Sequence, residues 1–211
     1  MCAERNCRPR SPGAVTPVVP IGRRSVLAGW MGAAGLFALG ALAKGNTDNL
    51  IRPPGSVDAL SFTARCIRCD RCRSVCPTGV IGVGSFSDGL TVMRTPVMNY
   101  HTGYCDFCRK CVEVCPTGAI QDFDPETEKI GVAEITDVCI ALRTGACTKC
   151  HEACPYDAVL LDPQNRPIID AERCNGCGKC EEVCPASVFQ AYKAGMGRGV
   201  QVRPLKKGGA S

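Results

Sequence analysis

Apolar positions in this chain come in short bursts separated by polar residues, glycine and proline, with one exception near the start. Residues 26–43 form a nearly uninterrupted apolar run, diluted by Gly29, Gly32, Gly35 and Gly40. After a polar stretch that ends Arg52-Pro53-Pro54-Gly55, the spacing of Val57, Leu60 and Phe62 predicts a short helix, with Ser56 as N-cap and Asp58 in its first turn. Further on, apolar pairs led by turn residues predict short strands at Val80-Ile81, Ala119-Ile120, Ala158-Val159 and Val188-Phe189. The connectors read as hairpins. A long one over 78–104 turns near Asp88-Gly89 and passes Pro96. A second turns at Asp124-Pro125-Glu126-Thr127 and returns through 129–135. A third turns at Pro163-Gln164-Asn165-Arg166 and returns through Ile168-Ile169. Residues 193–211, rich in Gly, Lys and Arg, read as a flexible tail.

Elements this short cannot bury enough surface to hold one another, and aromatic residues make up only 5% of the chain. Staples are required, and eighteen cysteines supply them. Three stretches share one spacing: Cys66, Cys69, Cys72 and Cys76 before Pro77; Cys105, Cys108, Cys111 and Cys115 before Pro116; Cys174, Cys177, Cys180 and Cys184 before Pro185. This is C-x2-C-x2-C-x3-C-P, the bacterial ferredoxin run that holds a [4Fe–4S] cubane through thiolates. A further stretch departs from it, with Cys139 set seven residues ahead of Cys147, Cys150 and Cys154, then Pro155. Its last three thiols keep their spacing, so a cluster is expected there too; Cys139 must reach it across a longer loop, and if it fell short a three-iron cluster or a substitute ligand would result. Sixteen cysteines thus predict four [4Fe–4S] clusters. The fold class expected is α+β and loop-rich: tandem or nested bacterial-ferredoxin-like modules of short hairpins and short helices around the clusters.

Zinc and disulfides compete for the same residues. Zinc ribbons use two C-x2-C pairs and need neither a third thiolate two residues on nor a Cys-Pro ending. Disulfides would leave the repeats unexplained. In two-cluster ferredoxins the fourth cysteine of a run ligates the other cluster, so Cys76, Cys115, Cys154 and Cys184 are expected to cross between paired motifs. Spacing alone allows pairing one with two and three with four, or two with three nested inside one with four.

The formal charge of +5 suggests nucleic acid, but five of the basic residues lie before residue 44. From Lys44 onward there are 20 Lys and Arg against 19 Asp and Glu. Four oxidised cubanes at about −2 each would make that part clearly acidic, so no nucleic-acid partner is expected. Residues 1–43 have the layout of an export signal: Arg23-Arg24, the apolar run, and Ala41-Leu42-Ala43 as cleavage pattern. The paired arginines resemble a twin-arginine signal, with Val26 where such signals often carry Phe. A cluster must be inserted before export, which the twin-arginine machinery permits. The alternative is an uncleaved anchor, the run being at the lower edge of the length that spans a bilayer. Cys2 and Cys7 lie in this segment and match no motif. The organisation expected is therefore a signal peptide over 1–43, a linker over 44–58, a four-motif domain over 59–192 with motifs at 66–77, 105–116, 139–155 and 174–185, and the tail over 193–211. The chain shows no nucleotide-binding glycine loop, Ser/His/Asp set or convergent carboxylates, so no catalytic site of its own is expected. The two histidines are His101 and His151, the latter expected to face solvent.

The chain resembles the NapG/MauM ferredoxin-type proteins of periplasmic electron-transfer systems. The features that carry the likeness are Arg23-Arg24, Arg52-Pro53-Pro54-Gly55, the four cysteine motifs and the C-x7-C-x2-C-x3-C form of motif three. Motif two departs, since some members carry a longer gap before its third cysteine and Cys105–Cys115 is regular here. The resemblance implies a periplasmic subunit that takes electrons from a membrane quinol-oxidising ferredoxin-type protein. It would pass them to a multihaem cytochrome or a terminal reductase such as periplasmic nitrate reductase. The MauM branch implies methylamine utilisation and, as the alternative, a maturation or assembly factor for a periplasmic redox enzyme. Kinship with the beta subunits of molybdoenzymes implies the nested pairing.

Charge differs among the motifs. Arg65, Arg68, Arg71 and Arg73 surround motif one, Arg109 and Lys110 lie in motif two, and Glu181 and Glu182 lie in motif four. Positive charge favours the more negative, reduced state, so the motif-one cluster is expected to have the highest potential. Redox titration with each motif disrupted in turn checks this. Disrupting motif one should remove the highest-potential signal, and losing the lowest one instead would reverse the assignment.

Overall fold

Each cysteine loop ends in a single helical turn, and these turns recur along the chain because the thiol spacing leaves no room for more. The structure is a computed structural model describing residues 50–186 and 197–205. The signal segment 1–43, part of the linker, the strand expected at Val188-Phe189 and the remainder of the tail lie outside the described residues. Helix α1 is Ala59–Arg65, and four-residue helices follow at α2 (Arg71–Ser74), α3 (Lys110–Glu113), α5 (Lys149–Glu152) and α6 (Lys179–Glu182). Helix α4 (Ile140–Thr144) fills the insert of motif three and stops at Gly145, which takes the left-handed conformation. Among the described residues no helix is long and apolar enough to cross a membrane.

Three two-stranded antiparallel sheets are present among the described residues. Strand β1 (Ile81–Val83) pairs with β2 (Pro96–Met98), with a 3-10 turn at Phe86–Asp88 between them. Strand β4 (Val159–Leu161) pairs with β5 (Pro167–Ile169) in the register Val159 to Ile169. These two hairpins match the sequence. The hairpin expected between motifs two and three does not form. Strand β3 (Gly131–Ile135) pairs instead with β6 (Val200–Pro204), from Gly131 against Pro204 to Ile135 against Val200.

The place beside Ile120 is taken by the segment expected to be a linker. Ser56 bridges Ile120, Val57 N–H donates to the Ala119 carbonyl, and Gln121 N–H donates to Gly55. Ile51, Pro53 and Pro54 are buried, and the Ile51 carbonyl accepts from Met98 N–H. Arg52 donates to Thr95 Oγ1 and to the Pro96 carbonyl, and its guanidinium lies 4.7 Å over the Phe62 ring. Residues 51–57 are therefore a structural edge rather than a tether. The helix cap also differs: Asp58 accepts from Ser61 N–H at 3.0 Å and caps α1, while Ser56 turns back to the Pro53 carbonyl.

Two main cores result. One gathers Phe62, Val80, Ile81, Tyr100 and Ile120 around motifs one and two. The other gathers Ala133, Ala158, Val159 and Val200 around motifs three and four. Strand β6 belongs to both, since Val202 packs in the first core and Val200 in the second. The tail expected to be flexible thus stitches the two halves together: Val200 and Val202, two residues apart and so on the same face of the strand, reach the two cores at successive points along it.

Phe62 is fully buried under Arg52 and lies against motif one. Phe62→Ala is expected to cost about 3–5 kcal/mol, read as a lower midpoint in denaturant-driven loss of the far-ultraviolet dichroism.

Candidate metal centres

The sequence C-x2-C forces the chain to double back within two residues, and in motifs one, two and four the backbone does so through left-handed conformations. In motif four glycine supplies them, at Gly176 (φ 80°) and Gly178 (φ 81°). In motifs one and two the same positions are Arg68, Asp70, Phe107 and Arg109, all with positive φ. Each of these stores backbone strain on the order of 1 kcal/mol that the surrounding structure must offset. The short helix that follows then places the third and fourth thiols one turn apart.

Four small cavities of about 20–30 Å3 sit inside these loops. Cys66, Cys69 and Cys72 line one together with Cys115. Cys105, Cys108 and Cys111 line the next together with Cys76. Cys174, Cys177 and Cys180 share theirs with Cys154, and Cys139, Cys147 and Cys150 share theirs with Cys184. The fourth cysteine of each run therefore crosses into its neighbour's quartet. The nested pairing is overturned: motif one exchanges with two, and three with four. The reason is the placement of the hairpins. β1–β2 and β4–β5 return the chain to its starting point within each pair, whereas the connector between motifs two and three leaves to pair with β6. Cys139 lines its cavity despite the insert, because α4 takes up the extra residues as one compact turn.

The quartets suit a multi-atom cluster better than a lone ion. All sixteen thiols are free of disulfides. Among the described residues no three Cys, His, Asp or Glu side chains are grouped closely enough to share one metal ion. The thiols stand around the rim of a space instead. Burial, followed by the crowding of neighbouring thiols, pushes Cys111 up to about 11. Burial likewise takes Cys105 to about 12 against the opposing N–H of Phe107, and raises Cys180 further still. Thiols so placed ionise only with positive charge among them, which iron provides. The backbone is already set for the ionised form: the N–H groups of Ala133 and Ala158 donate to the sulfurs of Cys174 and Cys154, both at 3.4 Å. Cys115 goes the other way. Burial opposes its ionisation, but the N–H groups of Ile120, Thr117 and Ala119 and the Thr117 hydroxyl outweigh it and hold the thiol below its ordinary value.

The two pairs meet at motifs two and four. Cys105 N–H donates to the Cys177 carbonyl at 2.8 Å, and the Tyr100 hydroxyl donates to Gly176 at 2.8 Å. A Cβ at Gly178 would sit 1.9 Å from the Tyr100 ring, so only glycine fits there. Phe107 meets Phe123 edge-on at 6.2 Å and packs with Cys177, and Lys179 Nζ lies 4.0 Å over the Tyr104 ring. The sites are thus strung in the order one, two, four, three. Motif four does not stand opposite motif one, as the nested arrangement required.

Two charged residues take roles the sequence did not announce. Glu181 is buried and accepts from Val202 N–H at 2.7 Å, with His101 Nε2 at 3.6 Å, so it anchors β6 rather than flanking the cavity as a solvated charge. Arg198 donates to the carbonyls of Glu182 and Cys184 and closes the end of α6. An acid directly after a motif cysteine gave no sign of its burial, because its partner lies twenty-one residues on. His151 is exposed, and its Nδ1 lies 2.6 Å from the Val159 carbonyl.

A family model described as "4Fe-4S dicluster domain" matches residues 65–119 and 143–188, one match on each pair of motifs. The second match begins downstream of Cys139, where the insert breaks the regular spacing. The chain is 36% identical over 131 residues to "Ferredoxin-type protein NapF" of Haemophilus influenzae, covering 59% of this chain and 69% of that protein. It is 31% identical over 162 residues to "Methylamine utilization ferredoxin-type protein MauM" of Paracoccus denitrificans, covering 71% of this chain and 69% of that protein. The NapF of Escherichia coli K12 is 30% identical over 135 residues, which cover 60% of this chain and 75% of that protein. With crossed cysteine quartets, two dicluster matches and relatives that share most of their length with it, this chain belongs to the ferredoxin-type 4Fe-4S dicluster proteins.

Proposed function

We propose that the chain binds four [4Fe–4S] clusters, one in each crossed quartet of its sixteen motif cysteines, and serves as an electron-relay subunit. The observation that carries this reading is the string of four sites joined through Cys76 and Cys115, through the Cys105–Cys177 backbone hydrogen bond, and through Cys154 and Cys184. When bound, the clusters supply one-electron transfer. The chain itself fixes their separation, keeps them dry and sets the charge around each. The three loop cysteines of motif four are all buried, as suits an interior position in a line.

The narrower setting follows the resemblance to the NapG/MauM type. In that setting a twin-arginine signal over 1–43 carries the loaded protein to the periplasm. It works there at the membrane surface, between a membrane quinol-oxidising ferredoxin-type protein and a multihaem cytochrome or a terminal reductase such as periplasmic nitrate reductase. The match to a methylamine-utilisation protein supports a second reading, an assembly factor for a periplasmic redox enzyme.

Anaerobically purified protein is expected to be brown and to hold about sixteen iron atoms per chain. Cys76→Ala and Cys105→Ala should disturb the same paramagnetic signal and Cys66→Ala a different one; a shared signal for Cys76 and Cys174 would restore the nested pairing. In cells lacking this protein, electron flux to the terminal enzyme should fall while that enzyme's own cofactor content stays intact. Loss of cofactor content would instead favour the assembly role.

A further inference from the structure

The four quartets differ in how they meet solvent. Cys174, Cys177 and Cys180 are buried, whereas Cys69 is exposed at the motif-one end of the line. Around Cys69 the sequence places Arg65, Arg68, Arg71 and Arg73, all exposed. Arg68 lines the cavity and is pinned in place by donating to the carbonyls of Thr91 and Met93 at 2.9 and 3.0 Å. The carboxylate of this loop, Asp70, is engaged by Arg94 at 3.0 Å. Among the described residues none of the four arginines is in an ion pair. Ile67, which lines the same cavity, is 62% exposed. The other exposed motif cysteine, Cys108, has a weaker field: Lys110 is exposed, but Arg109 is paired with Asp122, and Asp106 and Glu113 in the same stretch carry the opposite sign.

We propose that this basic face around Cys69 is the docking surface for an acidic redox protein, which exchanges electrons one at a time with a cluster in the motif-one quartet. The proposal rests on the relay reading above. Unpaired like charges on one face repel each other, and an acidic partner relieves this while being steered onto the face. Ile67, which lines the same cavity as Arg68 and Arg71, supplies an apolar contact at its centre. The end position matters because a cluster at the end of the line must be approached closely from outside. With a cluster held by Cys66, Cys69, Cys72 and Cys115, each transfer would move one electron, lost by one redox centre and gained by the other. A basic face would also suit an anionic membrane, but a lipid surface has no use for an exposed cysteine at its centre.

The test uses the iron-loaded full chain with two one-electron acceptors, succinylated cytochrome c, which is acidic, and native cytochrome c, which is basic. Binding is followed by titration, and electron transfer by stopped flow after dithionite reduction. At low ionic strength the acidic form is expected to bind more tightly and react faster. Arg65→Glu with Arg73→Glu should lower both its affinity and its rate about tenfold, with the difference lost at high ionic strength. Iron content and paramagnetic signals of the variant check that it is folded, and the milder Arg65→Gln with Arg73→Gln should show a smaller loss in the same direction. Equal binding of both cytochromes, or a preference untouched by the variants, overturns the proposal. So does binding to phosphatidylglycerol vesicles that the variants abolish in the absence of any preference for the acidic protein. If the loaded protein reduces neither cytochrome, the relay reading fails, while the binding titration still decides the docking face.

Discussion

Placing sixteen thiols in a small chain, seven of them buried and two exposed, creates a charge problem that apolar packing cannot solve. Ionised sulfurs in a buried space repel each other and lose their hydration, and the chain has few large side chains with which to compensate. Its answer is geometric. Each quartet draws three thiols from one loop and the fourth from a neighbour, so the compensating positive charge of iron would tie two distant stretches together as it neutralises them. The crossings at Cys76 and Cys115, and at Cys154 and Cys184, thus act as long-range cross-links, and the scarcity of conventional core follows from them.

Joining the two pairs is a separate problem, since no cysteine crosses between them. It is solved by ordinary contacts: a backbone hydrogen bond from Cys105 to Cys177, Tyr100 pressed onto Gly178, and strand β6 with Val202 in one core and Val200 in the other. The buried carboxylate of Glu181 fixes β6 to the helix that carries Cys180. The cysteine spacing sets the interior of each pair, while the junction depends on residues with no motif of their own.

That division explains what could be read from the chain in advance. The quartets were legible because thiol spacing is local, and so were β1–β2 and β4–β5, whose turn residues lie between strands of matching length. The pairing of motifs was not, because Cys-Pro endings are alike in all four runs and the nested order came from the likeness to other proteins. Residues 51–57 and 200–204 read as linker and tail, since Arg52-Pro53-Pro54-Gly55 and a Gly- and Lys-rich end carry the composition of loops. Both became strand-like edges because Ile120 and Gly131 each needed a partner that no adjacent segment offered.

Strand β6 follows every motif cysteine in the chain, and this has a bearing on the timing of assembly. During synthesis each dicluster half has all its thiols outside the ribosome before the strand that unites them emerges. The halves can therefore be filled with iron one after the other as separate small bodies, and the tight contact of Gly131 with the Arg203 backbone is made last. The sheet that unites the halves is thus the last part of the fold whose residues become available, after both sets of thiols have had the chance to gather.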